Sequence, residues 1–303
     1  MPTPSTEVPA TDVPELLATP AQLRGRSASW HAAGLSVGMV PTMGALHGGH
    51  RALIDRAVAE NDRVVVTIFV NPAQFGPGED FTRYPRTLNA DLAVLGAAGV
   101  HAAFVPTVET MYPPGIVTRL DIAGPLGDRL EGASRPGHFN GVALIVTKLL
   151  VAGMPDRAYF GQKDAQQCAV VRHLARDLDT GVEIVVCPTV RDADGLAISS
   201  RNVYLSPEER ARASAIPSSL AAAMARFDAG ERDATALATT VRSFLENEGL
   251  DVDYVAVVEA EDFAEVETAV PTNQIVLAAR IGSTRLIDVV RLGVDTAPVG
   301  RGV

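Results

Sequence analysis

The chain of 303 residues is nearly without lysine: among its 26 basic side chains only Lys148 and Lys163 are lysines, and the rest are arginines. It is short of positive charge as a whole, since 36 acidic residues leave a formal net charge of −10. That deficit, with no basic cluster anywhere, argues against a nucleic-acid partner. Cysteine is scarce too. Cys168 and Cys187 stand well apart in apolar surroundings and form neither a CxxC motif nor a disulfide framework, which fits two buried thiols in a reducing cytoplasm. No apolar run is long enough for a bilayer; the longest, 142–154, is broken by Lys148, so no membrane partner is expected. The first 14 residues hold Glu7 and Asp12 but no basic residue, so they lack the pattern of a secretory leader and read as a flexible tail.

What is present is a globular composition. Hydrophobic residues make up 47% of the chain, enough for a full core and too many for a disordered chain. The length suggests about two domains of ordinary size. Residues 37–40, 64–70 (VVVTIFV), 101–105, 158–160 and 182–187 read as short strands, and their continuous apolar character marks burial on both faces. Helical periodicity fills the gaps at 51–60, 88–98, 141–152 and 164–178; in the first, Leu53, Ile54, Ala57 and Val58 share one face. Such alternation predicts an α/β fold, a doubly wound, Rossmann-like parallel sheet with its ligand at the carboxyl ends of the strands. After Pro188 the pattern changes. Two helices, 207–227 with an interruption at Pro217 and 234–248, precede strands at 252–259, 274–281 and 284–292, the last two joined by a Gly282-Ser283 hairpin turn. The expected division is 1–188 for the α/β domain and 189–303 for a smaller α+β domain that frays from Asp295 onward.

Four stretches carry side chains suited to an anionic ligand. In Pro41-Thr-Met-Gly-Ala-Leu-His47-Gly-Gly-His50, between a strand and a helix, Gly44, Gly48 and Gly49 let the backbone approach a ligand. The helix start there aims unpaired N–H groups at it, an arrangement that attracts phosphate. His47 and His50, at i and i+3, can both donate to one anion. A zinc role would need a third ligand, HxxH lacks the glutamate of HExxH, and a structural pair of histidines stays open. No GxxxxGK[ST] occurs, so histidine stands where a P-loop uses lysine. In Phe160-Gly161-Gln162-Lys163-Asp164, a second strand-to-helix turn, Lys163 offers a point charge, and Asp164 is either a helix cap or a ligand contact. Val190-Arg191 and Ile198-Ser199-Ser200-Arg201-Asn202 set paired hydroxyls before a planar cation suited to a triphosphate, although SSRN alone also fits a cap or turn. Asn71 and Gln74, just past the strand 64–70, reach the same crevice unless they serve turn chemistry around Pro72. Glu79-Asp80 and the residues 84–87 read as a lid or an interface loop, and Arg135-Pro-Gly-His138-Phe139 as another loop at the rim.

Taken in order over residues 41–202, PTMGALHxGH, FVNPxQF, EDxxxYPRT, RPxHFxGV, FGxKDxQQ and LAxSSRN resemble the pantoate–β-alanine ligase family, within the HIGH-motif nucleotidyltransferases. The resemblance implies that (R)-pantoate, β-alanine and ATP give pantothenate, AMP and pyrophosphate through a pantoyl adenylate, with Mg2+ and in a homodimer. It implies that Met43, Gly44, Ala45, Leu46, His47, Gly48, Gly49 and His50 bind ATP together with Gly161, Gln162, Lys163, Asp164, Val190, Ile198, Ser199, Ser200 and Arg201. His50, the family's proton donor, acts with His47 and Lys163 in catalysis; Gln74 and Gln167 hold pantoate, and Gln74 also borders β-alanine. Three positions depart from the family pattern. Glutamate is usual at Gln162, an aromatic is usual at Ala165, and Asn89-Ala90-Asp91 stands in place of an acidic run, leaving Asp91 as the candidate metal contact. A nucleotidyltransferase for another acid, or a nucleotide-binding module without catalysis, are the alternatives; the two glutamines favour pantoate.

Overall fold

The computed structural model describes residues 13–298, so most of the expected N-terminal tail and the last five residues lie outside the described residues. Strands β1 (Glu15–Leu17), β2 (Val37–Thr42), β3 (Arg63–Ile68), β4 (Ala102–Phe104), β5 (Arg157–Gly161) and β6 (Glu183–Cys187) form one parallel sheet in the order β1-β4-β3-β2-β5-β6. Both faces are covered. Along β3, Val65 enters one apolar cluster while Val64 and Val66 enter the cluster on the opposite face. Each valine so buried stabilises the fold by roughly 1.5–3 kcal/mol, which is why a continuous rather than alternating apolar run selects this central position. The covering helices include Gly48–Glu60, Leu88–Ala97, His138–Gly153 and Ala165–Asp177.

The strand order reverses beside β2, with β3 and β4 on one side and β5 and β6 on the other. An open parallel sheet splays its connecting loops apart at such a point, leaving a crevice at the carboxyl ends. The loops after β2 and after β5 therefore face each other across it.

Beyond β6, helices Pro207–Ala213, Ala215–Asp228 and Ala234–Asn247 pack on an antiparallel sheet of β7 (Asp251–Val258), β8 (Gln274–Ile281) and β9 (Thr284–Arg291). This part has a core of its own, including Leu220, Leu237, Leu245, Ile275 and Leu277. Small side chains join it to the first sheet's helices: Ala165 and Ala169 meet Ala256, Val258, Val276 and Val289.

Three features differ from the sequence expectation. Strand β1 was not expected; three residues are too few for a period, and pairing with β4 makes them a strand. The helix Pro20–Ala32 also escaped, because its apolar stripe is narrow and only Leu23 and Ser27 are buried. The break near Pro217 falls earlier, at Ser214, and Pro217 lies inside the next helix. A proline ring collides with the carbonyl four residues back, so the turn before Pro217, not Pro217 itself, must leave the helix.

Candidate active site

The crevice is lined by the β2 loop and its helix (Met43, His47, Gly49, His50) and by the β5 loop (Gly161, Lys163, Asp164). Gln74 and Gln167 line it, as does the later segment through Val190, Ile198, Ser199, Ser200 and Arg201. Four chain segments with more than a hundred residues between the outermost thus converge where the strand order reverses.

The β2 loop binds itself. Thr42 Oγ1 accepts the Gly44 amide (3.2 Å), and the carboxylate of Asp91, 2% exposed, accepts the amides of Ala45 (3.1 Å) and Leu46 (2.9 Å) and the Thr87 hydroxyl (3.2 Å). Gly44 (φ +82) and Ala45 (φ +50) take left-handed backbone, which turns these amides inward. His47 caps the helix Gly48–Glu60: its Nδ1 accepts the Gly49 amide (3.2 Å), and the Nδ1 of His50 accepts the His47 amide (3.4 Å). The expectation of amides aimed at a phosphate is therefore narrowed to the helix start, since Gly44, Ala45, Leu46, His47 and Gly49 all donate within the protein. Asp91 is likewise corrected from metal contact to loop anchor, because both oxygens are engaged and buried. Among the described residues no group of three or more His, Cys, Asp or Glu side chains could hold a metal ion. These residues do not fit a resident metal.

The imidazoles gain what the backbone gives up. With Nδ1 of each ring accepting an amide, a neutral ring must carry its proton on Nε2, so each histidine is a donor. The two rings stack at 4.0 Å between centroids. Burial, then the neighbouring His47 and Lys163, push the His50 pKa down to about 3, and burial with Lys163 lowers that of His47. At neutral pH both are uncharged Nε2–H donors beside the Lys163 ammonium.

The β5 turn splits its side chains. Lys163 and Asp164 line the crevice, whereas Gln162 is 3% exposed and turns away, its Nε2 donating to Asp295 (2.6 Å). Gln162 as a side-chain contact to ATP is corrected on this ground. Asp164 makes no side-chain cap on the helix it precedes, which removes the capping alternative. Gly48 packs toward Ile198 rather than lining the crevice.

The opposite rim is held by ion pairs. Glu79 grips Arg135 through both oxygens (2.8 and 2.7 Å), and Asp80 grips Arg201 Nε and Nη2 (3.0 Å each). Arg201 was expected to offer its whole fork to a triphosphate; Asp80 occupies two of its nitrogens. Burial raises the Asp80 pKa, and the Arg201 partner outweighs it, leaving the carboxyl below its ordinary range. Tyr84 Oη lies 3.2 Å from Ser200 Oγ, so the segment 79–84 straps the crevice from Arg135 to SSR.

Gln74 is fixed at both ends. Its carbonyl accepts His138 Nδ1 (2.8 Å) and Arg135 (3.3 Å), its Oε1 accepts Asn71 Nδ2 (2.9 Å), and its Nε2 donates one hydrogen to Met43 Sδ (3.4 Å), which leaves the second for the crevice. Tyr112 in turn donates to Asn71 Oδ1 (2.6 Å). Gln167 lines the crevice, while its neighbour Gln166 is buried and holds Glu131, Leu126 and Arg129 by their backbones. Arg135, His138 and Tyr84 were seen only as rim; no local signal ties them to Gln74 or Ser200. Lys148 does not line the crevice.

A sheet reversal that presents paired neutral imidazoles, one ammonium and a set of amides defines a nucleotide-binding α/β enzyme built to neutralise an anion and hold a small polar substrate beside it. A family profile described as Pantoate-beta-alanine ligase matches residues 15–291. The chain is 56% identical over 254 residues to a pantothenate synthetase of Roseiflexus sp. (84% of this chain, 91% of that one) and 52% identical over 274 residues to that of Roseiflexus castenholzii (90% and 97%). Among solved structures it is similar to pantothenate synthetase from Thermus thermophilus, with a TM-score of 0.85, 46% identity and 91% and 99% of the two chains covered. It is also similar to a Francisella tularensis pantoate-beta-alanine ligase complexed with beta-gamma ATP and beta-alanine (TM-score 0.75, 33% identity, 92% and 97% covered). The chain belongs to the pantoate–beta-alanine ligase family: it is a ligase that condenses pantoate with β-alanine in an ATP-dependent reaction.

Proposed function

We propose that His47, His50 and Lys163 neutralise the triphosphate while Gln74 and Gln167 hold pantoate beside it. The observation that carries this reading is the pair of Nδ1-engaged imidazoles, whose only remaining polar atoms are Nε2–H donors on the crevice wall opposite Lys163. A pantoate carboxylate oxygen attacks the α-phosphorus in line, the bond to the bridging oxygen breaks, and pyrophosphate departs, leaving a pantoyl adenylate. Two anions must meet, so positioning and charge neutralisation do most of the catalysis. His50 donates to the phosphate whose charge grows as pyrophosphate leaves. Val190, Ile198 and the hydroxyls of Ser199 and Ser200 complete the nucleotide site, with Arg201 Nη1, the nitrogen Asp80 leaves free, turned to phosphate. The β-alanine amine then attacks the acyl carbon beside Gln74, and AMP departs.

Mg2+ enters with the triphosphate and screens its charge. The division at 188/189 into a nucleotide- and pantoate-binding part and a smaller lid is supported by the two separate cores. A homodimer in the cytoplasm rests on the family resemblance and, for the compartment, on two buried free cysteines. The deciding experiment is exchange of labelled pyrophosphate into ATP. Exchange that requires pantoate but not β-alanine supports the adenylate; exchange absent under conditions of full turnover overturns it.

A further inference from the structure

Both segments that border the proposed nucleotide site are fastened to one strand of the C-terminal sheet. Arg191, next to Val190, is held through both Nη atoms by Asp288 of β9 (2.7 and 2.9 Å), whose side chain is 1% exposed. Gln162, next to Lys163, is held by Asp295, four residues past the end of β9. Asp295 is itself pinned: its Oδ2 accepts the Arg291 amide (2.8 Å), and its Oδ1 pairs with the Arg291 guanidinium (3.0 Å from Nε, 2.8 Å from Nη2). The segment expected to fray is therefore ordered at Asp295 by three contacts to β9 and by the buried Gln162.

In the turn Gln162–Asp164 successive side chains leave in different directions, so fixing Gln162 from behind fixes where Lys163 projects in front. The pair also has a required polarity. Asp295 can only accept, and it already takes Arg291's donors; its partner at 162 must therefore donate, which an amide does and a carboxylate does not. We propose that Gln162 and Asp295 are positioning residues for the ligase reaction: an amide–acid pair through which the end of β9 sets the stand of the Lys163 ammonium in the nucleotide site. The glutamine, which removes a charge expected beside Lys163, is thereby matched to the acid that faces it.

The inference rests on the reading that Lys163 meets ATP, and the test separates the two. Steady-state kinetics of the full chain are measured with ATP, pantoate and β-alanine varied in turn. The variants are Gln162→Glu, Asp295→Asn, the exchanged pair Gln162→Glu/Asp295→Asn, and Lys163→Ala. Gln162→Glu sets two carboxylates face to face and raises KM for ATP about tenfold, the scale of one opposed buried hydrogen bond, with KM for pantoate unchanged. The exchanged pair removes the facing carboxylates but turns an amide NH2 toward the Arg291 N–H that Oδ2 accepts, so it recovers part, not all, of the KM for ATP lost in Gln162→Glu. Asp295→Asn keeps the shape and shifts KM for ATP by less than Gln162→Glu. Should Gln162→Glu fold poorly, the exchanged pair still decides, since it must improve on Gln162→Glu in both melting temperature and KM for ATP. A parental KM in Gln162→Glu, or an exchanged pair no better than Gln162→Glu, overturns the proposal. If Lys163→Ala leaves ATP dependence intact, the nucleotide reading falls first; if Lys163→Ala is impaired while the Gln162 variants are normal, only the positioning role falls.

Discussion

The two walls of the crevice are built by different means. The β2 wall is local: His47 reaches Gly49, His50 reaches back to His47, and Thr42 reaches Gly44, all within three residues of chain. Asp91, Thr67 and Gln74 join it from farther along the chain. The rim is long-range: Asp80 and Arg201 are separated by 121 positions, Glu79 and Arg135 by 56. A wall closed by short loops loses little chain entropy when it forms and holds its donors rigidly. A rim tied by partly exposed ion pairs is held more weakly and is free to rearrange when a competing anion arrives. The groups proposed for chemistry stand on the first kind of wall or beside it, and those proposed to enclose the nucleotide stand on the second.

The sharpest test of that division is to remove its donors. His50→Ala and Lys163→Ala each lower turnover by at least ~10²-fold, the scale of one lost transition-state donor, read as AMP formed per enzyme. Parental rates in both would mean that the rigid wall is not the reacting one. Next in size is Asp91→Asn, which sets an amide NH2 against one of the donors the carboxylate satisfies. It costs about 1–3 kcal/mol in a denaturant melt and raises KM for ATP, because the loop before His47 loosens. A variant with parental stability would show that the wall is closed by local contacts alone.

Acid should act first on the buried histidines, His50 of the β2 wall and His138 of the rim. The His50 pKa is held down to about 3 and that of His138 to about 4, mainly by burial. Their unfolded forms take up protons below about pH 6.5 while the native forms do not. Stability therefore falls as pH drops from 6.5 toward 5, by up to ~1.4 kcal/mol per pH unit for each such group. His50→Gln melts followed over this range should show a shallower slope, and an unchanged slope would locate the proton uptake elsewhere. The smallest effect belongs to the rim. Asp80→Asn weakens a pair whose acid is buried and whose arginine is one-third exposed, and should raise KM for ATP only about two- to fivefold, on the scale of a partly screened ion pair, with turnover preserved. An effect as large as that of His50→Ala would erase the distinction between the walls.

Much of this was legible before any coordinates. The runs at 64–70 and 158–160 predicted doubly buried strands, and the ordered motifs predicted which loops meet, because apolar periodicity and glycine-marked turns are short-range properties. The pairing partners were not legible. SSRN showed a cation but not that Asp80 already holds it, and FGQKD showed five residues without saying which ones face the crevice. Asp91 looked like a metal contact because an isolated acid in sequence carries no sign of the amides that fold onto it.

The excess of acid by itself argued against a nucleic-acid partner, and the spacing of the motifs by itself marked where cations and glycine turns could meet an anion, since charge content and motif spacing need no fold to be read. Tertiary structure alone decided how those points are used: that His47 and His50 engage Nδ1 and leave Nε2 for the crevice, that Asp80 ties Arg201 and Glu79 ties Arg135, and that Gln162 turns to Asp295. The reason is the range of the interactions. A capping contact closes over three residues and leaves its mark in the chain, whereas an ion pair across 121 residues exists only once the sheets have packed.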